Sequence, residues 1–275
     1  MVSAAADSAA AESAAADSAG ADSAPATSRR AALLGRLGLR PTVGEVVRAE
    51  LEMAIRAAEA RASTVGGPSV TVLDAGCGRV SALRPFRARI GRFVGADIHA
   101  PARGALPYLD EFAVVDLCTD ADAFPPESFD LILSSFTLEH FHDPTAALRA
   151  FNRWLRPDGV LVVTTVNRRH PFVAAYLALP RRVRERLQPV VKVSRADAHP
   201  LVGACNDPSA VEAALREAGF ADVRLQLFGH LARAWRRTLP THALGLLGDG
   251  LARPFPSRRS TILAVARGSG RPRSR

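Results

Sequence analysis

Two apolar runs constrain the fold more tightly than any other feature: Phe129–Ser134 (FDLILS) and Val160–Val166 (VLVVTTV). A strand with one wet face alternates apolar and polar residues. These runs hardly alternate, which is the pattern of strands covered on both faces by helices. Shorter runs of the same kind occur at Ser69–Leu73, Arg92–Ala96 and Phe112–Val115, and Thr261–Ala266 reads as the last strand.

Helical signals lie between the strands. Val47, Leu51, Ala54, Ile55 and Ala58 form a stripe at helical spacing within residues 43–62. Asp143 can cap a helix that has Pro144 at its first position, with Ala147, Leu148, Phe151, Trp154 and Leu155 on one face. Arg156-Pro157-Asp158-Gly159 then reads as a turn into the next strand. Asp207-Pro208 opens a further helix, with Val211, Leu215 and Ala218 inward. Gly219 stands at its left-handed end and Phe220 makes the closing contact. Strands and helices in alternation predict an α/β fold with a doubly wound, mostly parallel sheet.

The first turn carries the chemistry. Residues 72–78 read VLDAGCG. Gly76 and Gly78 would let backbone N–H groups approach a ligand at the carboxyl edge of the sheet. Asp97, at the end of the next strand, can accept hydrogen bonds from both hydroxyls of a ribose. Gly76-x-Gly78-x-x-Ser81 also nearly matches the dinucleotide fingerprint, in which a helix N-terminus holds a pyrophosphate. Asp74 opposes that reading. A carboxylate beside the glycines would repel pyrophosphate but can act on a ligand ammonium.

VLDAGCG, then GADI, then SFDLILSSFTLEHFHDP, then LRAFNRWLRPDGVLVV resembles, in order and spacing, the class I S-adenosylmethionine-dependent methyltransferases, in particular the small-molecule group called type 11. The resemblance spans roughly residues 69–166, and NDPSAVEAALREAGF at 206–220 looks like the family's late helix. It implies a Rossmann-like sheet of seven strands, the last antiparallel, with S-adenosylmethionine as cofactor. Asp74, Ala75, Gly76, Cys77 and Gly78 would then cradle the methionine portion. Asp97 would hold the ribose and Ile98 would pack on the adenine. Asp116 would face the adenine amino group with Leu117 beside it. Ser135 and Phe136 would sit near the methionyl amine and the reactive methyl. Val80, after Arg79, stands where the family commonly has a third glycine. The stretch from Asp116 to Phe129-Asp130 is slightly long, so Asp120 or Asp122 could replace Asp116.

Methyl transfer needs no protein nucleophile, and neither G-x-S-x-G nor H-E-x-x-H is present. A hydroxyl or acid acceptor needs a base. His140 and His142, just past the fourth strand, are the catalytic candidates; the plainer reading has His140 bonding backbone at a helix end. His199 is a weaker third. Cys77, Cys118 and Cys205 have no C-x-x-C spacing, so no metal is expected, and an odd, sparse count fits a reducing cytosol.

Domain limits follow from composition. Residues 1–28 alternate Ala and Ser with Asp7, Glu12, Asp17 and Asp22, and read as a disordered tail. The whole chain is at +9, so residues 29–275, read as one methyltransferase domain, carry about +13. An insertion at about 167–205 reads as an acceptor-side lid, basic through Arg181, Arg182, Arg184, Arg186, Lys192 and Arg195. An extra segment at about 230–256 carries Leu231, Ala234, Trp235 and Leu239 among arginines. Pro240 is expected to break it, after which Leu244, Leu247 and Leu251 form a second stripe. Such a stripe ordinarily packs on the domain; the alternative is contact with an anionic membrane or a greasy substrate.

The expected partner is a small-molecule acceptor, lipid-like or anionic, and the expected location is cytoplasmic. A nucleic-acid methyltransferase is disfavoured, since no RNA-binding module and no N/D-P-P-Y/F tetrad is present. An inactive adenosylmethionine-binding partner subunit and an NAD-dependent oxidoreductase are the other readings.

Overall fold

A computed structural model describes residues 41–65, 69–102, 104–180, 182–184, 186–187, 205–236 and 238–268. The 1–28 tail, Lys192, Arg195 and His199 lie outside them, as do Arg181, Glu185 and the rest of the proposed lid between 188 and 204.

The chain runs α1 (Val43–Val65), β1 (Thr71–Ala75), β2 (Arg92–Asp97), β3 (Glu111–Val114), β4 (Phe129–Ser135), α2 (Pro144–Trp154), β5 (Leu155–Val166), α3 (Pro171–Ala178), α4 (Pro208–Glu217), β6 (Ala221–Phe228), α5 (Leu231–Ala234), α6 (Leu239–Ala252) and β7 (Thr261–Arg267). The seven strands form one sheet in the order β3-β2-β1-β4-β5-β7-β6. β7 is antiparallel to both its neighbours, and every other pairing is parallel. The sheet is therefore the doubly wound, mostly parallel one expected. Its order reverses between β1 and β4, and the carboxyl ends of those strands open a crevice where such sheets bind ligands.

The unbroken apolar runs are explained by burial on both sides. Leu73, Ile132, Leu161, Val163, Ile262 and Ala264 face a core shared with α2 and α4. Val72, Leu131, Leu133, Val162, Leu263 and Val265 face a second core closed by Val47, Leu51, Ala54, Ile55 and Ala58 of α1. The exception inside FDLILS is Asp130. It is buried, accepts the Thr71 N–H at 2.9 Å and is paired with Arg156 at 2.5 Å and Arg61 at 3.6 Å.

The helix punctuation holds. Asp143 accepts the Ala146 N–H at 2.9 Å, and Asp207 accepts those of Ser209 and Ala210. α4 closes with Phe220 N–H on Leu215 C=O and Gly219 N–H on Arg216 C=O, with Gly219 at φ +87°. This is the Schellman arrangement. Trp154 is fully buried at the end of α2, its indole N–H on Ala121 C=O at 2.9 Å and its ring against Phe124 and Phe151.

Three details differ from the sequence expectation. Arg156–Gly159 is not a separate turn, because β5 already starts at Leu155, with a register shift opposite Phe129 and Leu131 and Asp158 at φ +63°. Pro240 does not break a helix but sits in the first turn of α6, where its missing N–H costs nothing. Thr238 caps that turn through Thr241. The stripe of Leu244, Leu247 and Leu251 does not pack on the domain; all three are exposed. α6 instead packs through its small residues Gly245, Gly248 and Ala252.

Candidate functional site

β1 ends at Ala75, and the chain turns sharply at once. Gly76 (φ +78°) and Gly78 (φ +51°) adopt left-handed conformations that L side chains resist. The turn is held by Gly76 N–H and Cys77 N–H, both donating to Ala96 C=O at 2.7 and 3.2 Å. A Cβ at Gly76 would lie 2.3 Å from Thr137 Cγ2, so the close approach of the β1 turn to the chain after β4 requires glycine there. Val80, at the place of the absent third glycine, is exposed and constrains nothing in the turn.

Asp97 lies at the end of β2, directly beside this turn. Gly78 N–H donates to its Oδ2 at 3.1 Å and His99 N–H to its Oδ1 at 3.2 Å. Each oxygen keeps a lone pair for further donors. Asp74, by contrast, is sealed at 2% exposure. Burial pushes its carboxyl up to about 7, opposed by a hydrogen bond from Ser81 and reinforced by the nearby Asp97 charge. A carboxyl so placed favours a cation as its neighbour. The Cys77 thiol is buried and pushed up to about 12 by burial and by the two carboxylates, so its contribution to the turn is its backbone N–H.

No α-helix follows the glycines. Ser81 is buried, its N–H on the Tyr108 hydroxyl at 3.0 Å, and a short 3-10 helix begins only at Arg84. A pyrophosphate would meet a buried carboxylate and no helix N-terminus, which disfavours the dinucleotide reading.

The remaining predicted residues lie along the same edge. Ile98 is half exposed just past β2. Asp116 follows β3, its N–H on Asp120 Oδ2 at 3.0 Å and its own Oδ1 accepting the Cys118 N–H at 2.9 Å. Asp122 is paired with Arg153, and Asp120 accepts the Asp116 N–H. Leu117 is buried in the core. Asp116, Cys118 and the exposed His142 bring ligand atoms within 4.8 Å of one another, a grouping with no counterpart in the sequence expectation. Burial raises the Cys118 thiol above its ordinary range, with the neighbouring Asp116 carboxylate adding to the shift.

On the far side of the crevice, Ser135 Oγ and Thr164 Oγ1 lie 3.1 Å apart, tying β4 to β5. Phe136 follows at φ +54°, a conformation uncommon for a bulky residue, with its N–H on Thr164 C=O at 2.9 Å. His140 ends the 3-10 turn Leu138–His140, its N–H on Thr137 C=O. Beside it Glu139 is buried and accepts the Thr165 hydroxyl at 2.8 Å.

Sequence reasoning missed His230. Its ring stacks on Phe136 with centroids 5.9 Å apart and planes 21° off parallel. This contact brings the segment between β6 and β7 over the end of β4. His230 N–H is held by Ser260 Oγ at 2.8 Å. Burial pushes the imidazole below its usual range, helped by Arg233 and Arg236 and opposed by Asp249. The available signal was topological. A histidine just past an edge strand parallel to β4 lies at the ligand-binding end of the sheet, but that strand was not recognised.

The chain matches the methyltransferase domain model over residues 47–225. It is 34% identical over 172 residues to the nocamycin O-methyltransferase of Saccharothrix syringae, covering 57% of this chain and 61% of that one. It is 37% identical over 114 residues to a ubiquinone biosynthesis O-methyltransferase of Xanthomonas campestris pv. campestris, covering 39% of this chain and 47% of the relative. The chain thus spans less than two thirds of the length of these relatives. Among solved structures, a proposed sarcosine dimethylglycine methyltransferase of Galdieria sulphuraria superposes with a TM-score of 0.50 at 16% identity, over 82% of this chain and 85% of that one. With its seven-stranded order and its glycine turn beside Asp97, the chain belongs to the class I S-adenosylmethionine-dependent methyltransferases.

Proposed function

We propose that this protein transfers a methyl group from S-adenosylmethionine to a hydroxyl of a small acceptor. The observation that carries this reading is the meeting of two half-sites across the crevice: the Asp74–Gly78 turn with Asp97 on one side, and Phe136 under His230 on the other. The hydroxyl acceptor is supported by the relatives named O-methyltransferases.

The donor set fits the cofactor. The methyl group and its leaving sulfur are supplied by the sulfonium when the cofactor is bound. Asp97 accepts both ribose hydroxyls on the lone pairs that Gly78 and His99 leave. Asp74 offers a buried carboxylate to the methionyl ammonium, directly or through water. Gly76 and Gly78 allow the backbone to approach the methionine portion, with Ala75 and Cys77 contributing main chain only. Ile98 covers the adenine, and Asp116 beside Leu117 accepts from its amino group. Ser135 and Phe136 bound the reactive end and exclude water. Aligning the acceptor oxygen for in-line attack can supply about 7–11 kcal/mol of the barrier. His230, neutral near pH 7, takes the acceptor proton. His140 is the second candidate base, and His142, grouped with Asp116, lies on the adenine side.

Adenosylhomocysteine titrated into the full chain by calorimetry gives heat, and NAD gives none. Labelled methyl passes from adenosylmethionine to a catechol probe such as protocatechuate. Heat with NAD alone would overturn the reading.

The pH dependence has a definite sign. Below about 7 the buried Asp74 holds its proton, and pairing with the ligand ammonium requires that proton to leave. Affinity for adenosylhomocysteine therefore rises with pH, by up to about tenfold per unit below pH 7, and flattens above it. Asp74→Asn loses this slope. A wild-type affinity that is level from pH 5.5 to 7.5 would remove Asp74 from the ammonium.

A further inference from the structure

Among the described residues, the face that α6 turns outward has no partner. The helix docks by its other side. A Cβ at Gly245 would lie 2.6 Å from Ala232 Cα, and one at Gly248 2.8 Å from the Phe172 ring. His242 Nδ1 is 2.8 Å from Ala232 C=O. Asp249 accepts the Ala232 N–H at 2.9 Å and the Ser260 hydroxyl at 3.3 Å. Small and polar residues thus face in, and the leucines face out.

Leu239, Leu244, Leu246, Leu247 and Leu251 are between 45% and 86% exposed, and Phe255 beyond the helix is 52% exposed. Contiguous apolar surface rimmed by charge marks an interaction site. The rim is basic: exposed Arg233 and Arg236 precede the helix, and Arg253 and Arg258 follow it, with the Arg258 guanidinium 5.1 Å from the Phe255 ring centroid. Asp249 is the only acid between Gly229 and Arg259, and it is committed inward.

We propose that this face of α6 docks the protein on an anionic lipid surface, with the leucines entering the acyl boundary and the arginines meeting the headgroups. A second copy of the chain is the poorer occupant. Pairing α6 with itself would bring the arginine rims together with no outward acid in the segment to neutralise them. The face belongs to the same segment that stacks His230 on Phe136, which links docking to the acceptor side of the crevice. That link rests on the proposed methyl transfer; the docking itself does not.

The full chain is sedimented with vesicles of phosphatidylcholine alone and of phosphatidylcholine with phosphatidylglycerol. It binds the anionic vesicles, more weakly at high salt, and leaves the neutral ones. Leu247→Glu with Leu251→Glu lowers vesicle affinity at least tenfold, and Arg253→Glu with Arg258→Glu lowers it by a similar factor. Because these side chains are outside the cores, the variants keep the wild-type melting temperature and adenosylhomocysteine affinity. That retained affinity separates a failure of docking from a failure of the cofactor assignment. Equal binding to both vesicle types, binding to neither, or concentration-dependent self-association abolished by the leucine substitutions would each overturn the proposal.

Discussion

Asp97→Ala is expected to lower the affinity for adenosylhomocysteine at least about a hundredfold. A carboxylate that accepts two ribose hydroxyls makes two charge-assisted hydrogen bonds, each contributing about 1.5–3 kcal/mol. Removing both costs about 3–6 kcal/mol, which is two to four decades at about 1.4 kcal/mol per decade. Calorimetric titration at pH 7.5 measures the loss directly. The substitution also strips the acceptor from Gly78 N–H and His99 N–H, so some of the effect could come from a loosened turn. Asp97→Asn separates the two contributions. Its amide oxygen keeps one backbone donor, while its NH2 meets the other backbone N–H and offers a ribose hydroxyl a donor in place of an acceptor. An Asn variant that binds as weakly as Ala, with an unchanged melting temperature, assigns the loss to the ribose contacts. Wild-type affinity in both variants would remove Asp97 from the site.

Most of the sheet was legible because its strands are buried on both faces. VLVVTTV and FDLILS have no reason to exist in a one-sided sheet, and the alternating allocation of Leu161, Val162 and Val163 to two cores is the physical cause of the pattern. The caps were legible because Asp143-Pro144 and Asp207-Pro208 act locally, through bonds to backbone two or three residues away. β6 was missed for the opposite reason. It is an edge strand, half wet, whose period-two signal (Val223, Leu225 and Leu227 against Arg224 and Gln226) contains no solid apolar run. The outward stripe of α6 was misjudged because periodicity reports that a face is apolar, not which face the neighbours take. Gly245 and Gly248 allowed a backbone approach that leucines would have blocked, and the helix turned its glycines in.

The glycine turn and its acids were readable from spacing, since Asp74 and Asp97 lie near the ends of consecutive strands and Gly76 and Gly78 follow the first of them directly. The acceptor side was not. Phe136 and His230 meet only because β6 lies at the far edge of the sheet and sends its exit loop back over β4, a contact between residues 94 apart in sequence. Proximity in sequence to β4 therefore does not decide which histidine reaches the acceptor side. His142 is carried away toward Asp116, whereas His230 arrives from the other end of the chain.

If His230 takes the acceptor proton, His230→Gln lowers kcat with protocatechuate about a hundredfold or more, within the 10²–10⁴ range of general base catalysis. The affinity for adenosylhomocysteine stays within a few fold, because His230 is not among the residues assigned to hold the cofactor. The shape of the pH profile carries more information than the size of the loss. Burial and the two arginines hold the imidazole below its usual range, so wild-type kcat rises with pH on a limb lying below the ordinary histidine value and is level at neutrality. His230→Gln removes that limb and leaves a rate proportional to hydroxide. A ring that merely packs on Phe136 would behave otherwise: Gln would raise KM or lower the melting temperature, and the limb would survive. His140→Gln is the companion experiment. Should the limb vanish there and persist in His230→Gln, the base is the residue beside β4, and the stacked ring is a wall of the acceptor site.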